Sequence, residues 1–117
     1  MGDDAVIVRG RESPDSQRAL YSTVHGAGRV MGRMEAKGKW KGARCVKPGR
    51  VNWRRWQDTL RSRGVELRGG GADEAPECYK RLSDVLSYHG DTIDVLHTLK
   101  PIGVAMAGRD TFDPYKD

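Results

Sequence analysis

His25 heads the run His25-Gly26-Ala27-Gly28-Arg29, and a second arginine, Arg33, follows four residues after the first. An imidazole can act as a nucleophile toward phosphorus, a general acid or base, or a metal ligand. Spacing alone leaves those three chemistries open. Gly26 and Gly28 remove side chains where a backbone would approach a ligand closely. If a helix starts at this point, its unpaired amides form an anion site, and Arg29 and Arg33 on one helical face could both reach a phosphate there.

The elements around that run are expected to be short. Ala5-Val6-Ile7-Val8 reads as a buried strand, Glu12 to Gln17 as a polar loop and Ala19 to Val24 as a second strand that delivers His25 to its turn. A helix from about Gly28 to Ala36 would carry Val30, Met31 and Met34 inward. Lys37 to Lys47 shows little periodicity and reads as a mobile basic loop. Asn52 is suited to cap a helix over Trp53 to Ser62 that stops before Gly64, and a Val65-Glu66-Leu67 strand follows. Gly69-Gly70-Gly71 lacks the Gly-Lys-Ser/Thr ending of a phosphate-binding P-loop. It reads at most as a loop beside a nucleotide pocket. A helix from about Glu77 to Tyr88 would place Tyr79, Leu82, Val85 and Leu86 on one apolar stripe, and Val95 to Met106 reads as a strand interrupted at Pro101. The fold class is therefore α+β, a mixture of short strands and helices in a single domain, with a loose polar tail over 109–117.

The motif in its context resembles the RtcB-type RNA ligases, specifically their C-terminal part. The resemblance rests on His25-Gly26-Ala27-Gly28-Arg29 with Arg33, then Tyr79-Lys80, then Leu99-Lys100-Pro101-Ile102-Gly103-Val104, in that order. Met1-Gly2-Asp3 is similar to an interior Ser-Met-Gly stretch of longer members. The chain is accordingly expected to be a partial domain, 1–117, the last third of such a ligase. The resemblance implies joining of RNA 3′-phosphate or 2′,3′-cyclic phosphate ends to 5′-hydroxyl ends, as in tRNA splicing or RNA repair, with GTP as cofactor. It assigns His25 as the catalytic residue that carries GMP. It further implies that Gly26, Ala27 and Gly28 line the nucleotide site, that Tyr79 packs on the guanine, and that Arg29 and Arg33 contact GMP or RNA phosphate. The family's Mn²⁺ ions are held upstream of this region, so no metal ligand is assigned here, and the isolated chain is expected to be inactive without the missing N-terminal ligase region.

Charge and composition support an RNA partner and suggest other classes of function. The 117 residues carry net charge +5, but from Gly28 to Arg63 twelve basic residues face only Glu35 and Asp58. Such a field attracts polyanions, and the interleaved Trp40, Trp53 and Trp56 could stack on bases or pack into the core. A non-catalytic basic RNA-binding module is therefore an alternative, as is a truncated remnant of a ligase gene. Cys45 and Cys78 lack metal-finger spacing and read as free thiols of a reducing compartment. No apolar run approaches the ~20 residues that span a bilayer. A cytoplasmic location with no membrane partner is the expectation.

Overall fold

Asn52 begins the longest helix among the described residues and Gly64 ends it, each for a local chemical reason. The computed structural model describes residues 1–107; the tail assigned to 109–117 lies outside the described residues. Asn52 Oδ1 accepts from the Arg55 amide at 3.1 Å, capping a helix over Trp53–Ser62 as expected. At the other end Gly64 takes φ +70°, and the amides of Gly64 and Val65 turn back to the carbonyls of Arg61 and Leu60. That pairing satisfies carbonyls the helix would otherwise leave open. Leu60 is 1% exposed and lies over Gly2, where an added Cβ would come within 2.4 Å of its Cδ2.

In chain order the elements are β1 (Ala5–Gly10), α1 (Pro14–Arg18), α2 (Arg33–Lys37), β2 (Gly38–Lys41), β3 (Arg44–Pro48), α3 (Trp53–Ser62), β4 (Glu66–Arg68), α4 (Leu82–Ser87), β5 (Ile93–Leu99) and β6 (Gly103–Ala105). Two 3₁₀ turns, Ala72–Glu74 and Pro76–Cys78, precede α4. The strands form three separate pairs. β1 runs antiparallel to β5 from Ala5 opposite Leu99 to Gly10 opposite Ile93, β2 and β3 form a hairpin, and β4 pairs parallel with β6. The mixed α+β class is as expected. The core is thin: among the described residues Ala36, Leu60, Val65, Ala75 and Cys78 are the buried apolar side chains, whereas Leu20, Tyr88 and Ile102 are almost fully exposed.

Several local expectations are corrected. The segment read as a polar loop contains α1, because Ser13 caps it by accepting from the Ser16 amide at 3.0 Å and Pro14 occupies the first helical position. No strand forms over 19–24. Leu20 and Tyr21 both take positive φ, turning the chain where a strand would have extended it. The strand at Ala5 is present but half-buried rather than buried, with Ile7 exposed.

The helix expected from Gly28 begins only at Arg33. Its first half is instead extended, since the Val30 amide donates to the Cys78 carbonyl at 2.8 Å and the Lys80 amide to that of Gly28 at 2.9 Å. Val30 and Met34 are consequently exposed rather than inward. The same pairing draws Tyr79 out of the expected helix, which starts at Leu82. Pro101, lacking an amide hydrogen, separates β5 from β6.

Lys37 to Lys47 is the clearest reversal, since it contains the β2–β3 hairpin rather than a mobile loop. Gly42 at φ +56° suits the two-residue connection Gly42-Ala43, a primed turn of the kind that joins twisted antiparallel strands. The hairpin base is tight: a Cβ on Gly49 would lie 2.1 Å from the Ala36 carbonyl oxygen. We expect Gly49→Ala to destabilise the protein by about 1 to 2 kcal/mol through forced backbone displacement. A thermal melt checks this; an unchanged midpoint would mean that the base can open without cost.

Candidate functional site

His25 sits in a bend, exposed, and not at a helix start. It lines a cleft of about 320 Å³ together with Gly26, Ala27 and Tyr79, and with Asp3, Asp4 and Lys80, to which sequence reasoning had given no site role. The floor and far wall include Val6 and Val8 of β1 and Leu82 and Leu86 of α4. This volume falls at the lower end of small-molecule sites, and its mixture of apolar walls with a few polar groups is typical of them. Gly28, Arg29 and Arg33 do not line the cleft. Neither does the triple glycine, whose first member instead allows close approach of the Met106 carbonyl.

The two arginines belong to a polar network behind Tyr79. Arg29 Nη1 donates to the Tyr79 hydroxyl at 2.9 Å, and its guanidinium carbon lies 4.8 Å from the centre of the Tyr79 ring. The hydroxyl in turn donates to Glu74 Oε2 at 2.6 Å. Arg33 uses one nitrogen, Nη1, for both Glu74 Oε1 at 2.5 Å and Asp73 Oδ2 at 3.1 Å, and Lys37 Nζ reaches the same Asp73 oxygen at 2.8 Å. One face of the Tyr79 ring is thus covered and its hydroxyl is held from two sides. Burial, then the bond to Glu74, pushes the Tyr79 hydroxyl pKa up and keeps it protonated near neutral pH. Arg29 Nη2 is buried without a hydrogen-bond partner among the described residues.

Asp73 and Glu74 are the residues sequence reading passed over. Their service to Arg33, forty residues away, has no local signature. Burial pushes the Asp73 carboxyl up, but hydrogen bonds from Lys37 and Arg33 outweigh it and hold the pKa below the ordinary 3.8. The Arg50 hydrogen bond likewise lowers Glu35 below 4.5. A carboxyl depressed in the folded state contributes stability that is present above its unfolded pKa and lost as pH falls through the folded one. Urea midpoints are therefore expected to fall on acidification below about pH 4, and less steeply in Asp73→Asn. Equal slopes for the parent and variant would contradict the network.

The remaining candidates are dispersed. His89 Nδ1 lies 3.1 Å from Thr92 Oγ1, and His97 is exposed on β5. Among the described residues no three His, Cys, Asp or Glu side chains gather as a metal site. Both cysteines are free; Cys78 is buried, with its thiol pKa pushed up by burial, which makes it a poor nucleophile. No helix among the described residues is long and apolar enough to cross a membrane.

Comparison with known proteins decides the lineage. Residues 1–107 match the family described as tRNA-splicing ligase RtcB. The chain belongs to the RtcB family. It is 36% identical to the tRNA-splicing ligase RtcB of Archaeoglobus fulgidus over 90% of this chain and 20% of the relative. Identity is 30% to the tRNA-splicing ligase RtcB of Pyrococcus furiosus, over 90% of this chain and 10% of that protein. For the RNA-splicing ligase RtcB of Escherichia coli strain K12 it is 31%, over 87% and 22% respectively. The chain thus spans about a tenth to a fifth of the length of these RtcB relatives. No solved structure gives a significant match.

Proposed function

We propose that the chain supplies the nucleophile-bearing part of a GTP-dependent RNA ligase that acts in the cytoplasm and joins RNA 3′-phosphate or 2′,3′-cyclic phosphate ends to 5′-hydroxyls. The observation that carries this reading is the cleft in which His25, Gly26, Ala27 and Tyr79 meet, in a chain of the RtcB family. His25 donates a ring-nitrogen lone pair to the α-phosphorus of GTP. The N–P bond forms as the bond to pyrophosphate breaks. A 2′,3′-cyclic end is first opened by water to a 3′-phosphate with a free 2′-hydroxyl; His25 then yields GMP to the RNA 3′-phosphate as its N–P bond breaks, and attack of the 5′-hydroxyl on that activated end releases GMP.

The cleft suits a guanine nucleotide in part. Tyr79 offers a held aromatic wall, the Asp3 and Asp4 carboxylates can accept from guanine N–H groups, and Lys80 can offset phosphate charge. Gly26 and Ala27 bring backbone close to His25, and Gly28 continues that segment. Arg29 and Arg33 enter at one remove. Arg29 holds Tyr79, whereas Arg33, with Nη1 occupied by carboxylates, keeps Nε and Nη2 for an RNA phosphate. The described residues do not fit a manganese centre, and any such ligands come from outside them. Exposed Leu20, Tyr88 and Ile102 favour a further ligase region that docks on this chain. The alternative, a non-catalytic RNA-binding module, is favoured by the basic hairpin alone.

The test combines the chain with the remainder of the Archaeoglobus fulgidus relative, outside the matched segment, as a separate polypeptide. With GTP and Mn²⁺, RNA halves bearing a 3′-phosphate and a 5′-hydroxyl should be joined by the mixture, and the chain alone should take up no label from α-labelled GTP. Acid-labile label on the isolated chain would refute its dependence on a second region.

A further inference from the structure

The β2–β3 hairpin sets like charges against each other. Its register places Lys39 opposite Lys47 and Lys41 opposite Arg44, and a bulge in β3 between the two pairs keeps Arg44 and Lys47, three residues apart, on the same face, so all four cations fall on one face of the ribbon. Like charges directly opposite across two strands destabilise the pairing. Every residue of β3 is exposed, as are Lys39, Trp40 and Lys41 of β2. A two-stranded ribbon without cover is marginal in water, and this one carries repulsion besides.

Charge pairing stops at the hairpin base. Arg33 and Lys37 are held by Asp73 and Glu74, and Arg50 by Glu35 at 2.7 Å. Among the described residues none of Lys39, Lys41, Arg44 or Lys47 has a carboxylate within ion-pair distance, and Lys47 is felt by Glu35 only weakly. Lys39 and Lys41 stand two residues apart on β2, an advance of about 7 Å, and β3 lies about 5 Å away with its bulge between Arg44 and Lys47, so the four form a small, irregular charged cluster. Trp40, paired with Cys45, is 56% exposed on the other face, and its Nε1 donates to the Lys37 carbonyl at 3.0 Å.

We propose that this cationic face binds the phosphate backbone of single-stranded RNA, with Trp40 offering its ring to an unpaired base where the strand wraps the ribbon. Four unpaired cations on one face complement a polyanion, and an aromatic ring on the same ribbon favours an unpaired strand over a duplex. The inference rests on the reading that RNA is the partner, and it assigns RNA to a surface apart from the His25 cleft.

Fluorescence anisotropy of the full chain with a labelled single-stranded RNA tests it at several salt concentrations. One variant combines Lys39→Ala, Lys41→Ala, Arg44→Ala and Lys47→Ala. A second of equal net charge combines Arg54→Ala, Arg55→Ala, Arg61→Ala and Arg68→Ala, all exposed and outside the hairpin. The hairpin variant is expected to bind at least about tenfold more weakly at 0.1 M salt, with a salt slope flatter by roughly 2 to 3. The matched variant should lose clearly less, and changing Lys39, Lys41 and Lys47 to Arg should preserve binding. Equal losses in the two alanine variants would reduce the effect to the overall field and overturn the proposal. Intact RNA binding in the hairpin variant overturns it too, and failure of that variant to associate with a co-expressed remainder of the ligase would then mark a protein contact. If the parent chain binds no RNA, the RNA reading falls and this inference falls with it; if the parent binds and the hairpin variant matches it, only this inference falls.

Discussion

His25→Ala is expected to abolish transfer of label from α-labelled GTP to this chain when the rest of the ligase is supplied, a loss of at least about a thousandfold. The imidazole is exposed and makes no side-chain hydrogen bond among the described residues, so its removal leaves the fold intact. Far-UV circular dichroism of the variant should therefore match the parent. The alternative carrier in the same cleft is Lys80, whose amine would survive the substitution. Persistent label in His25→Ala would move the covalent site there.

Asp73→Ala is expected to lower stability by about 2 to 3 kcal/mol, because the loss of one partner leaves the others without a counter-charge. Asp73 is 2% exposed, but Arg33 and Lys37 are 32% and 41% exposed, so water compensates them in part and the cost stays below that of a fully buried pair. The effect should appear as a shift of the urea midpoint at constant slope. Because Arg33 also grips Glu74, which accepts from the Tyr79 hydroxyl, the same variant should weaken nucleotide binding. A change in stability under about 0.5 kcal/mol would show that Asp73 is not the anchor of this network.

What the sequence made legible was what its local chemistry determines. The Asn52 cap, the Trp53–Ser62 helix and the Gly64 stop lie within a dozen residues of one another, and each is satisfied by near neighbours. The β2–β3 hairpin is local too, closed by a two-residue turn at Gly42-Ala43, but its residues show little alternation and it was read as a loop. Its lysines obscured the strand signal by suggesting solvated loop.

The segment after His25 could not be read locally. Gly28 to Met31 has helical-looking spacing, but its backbone pairs with Cys78 and Lys80, some fifty residues on. That long-range pairing displaced the expected helix start from His25 and left Tyr79 in an extended stretch. Four residues assigned to the nucleotide site, His25, Gly26, Ala27 and Tyr79, nevertheless share one cleft. The arginines were placed by pattern on a common helical face, whereas the structure ties them to a tyrosine and two acids that pattern did not connect to them.

The most direct measurement is to map the label. The chain, the remainder of the Archaeoglobus fulgidus relative and α-labelled GTP are incubated with Mn²⁺, and the proteins are then cleaved into peptides at neutral to alkaline pH. The account predicts acid-labile GMP on the peptide that contains His25, absent when either polypeptide is omitted. Label on a different residue, or on the other polypeptide alone, would contradict it.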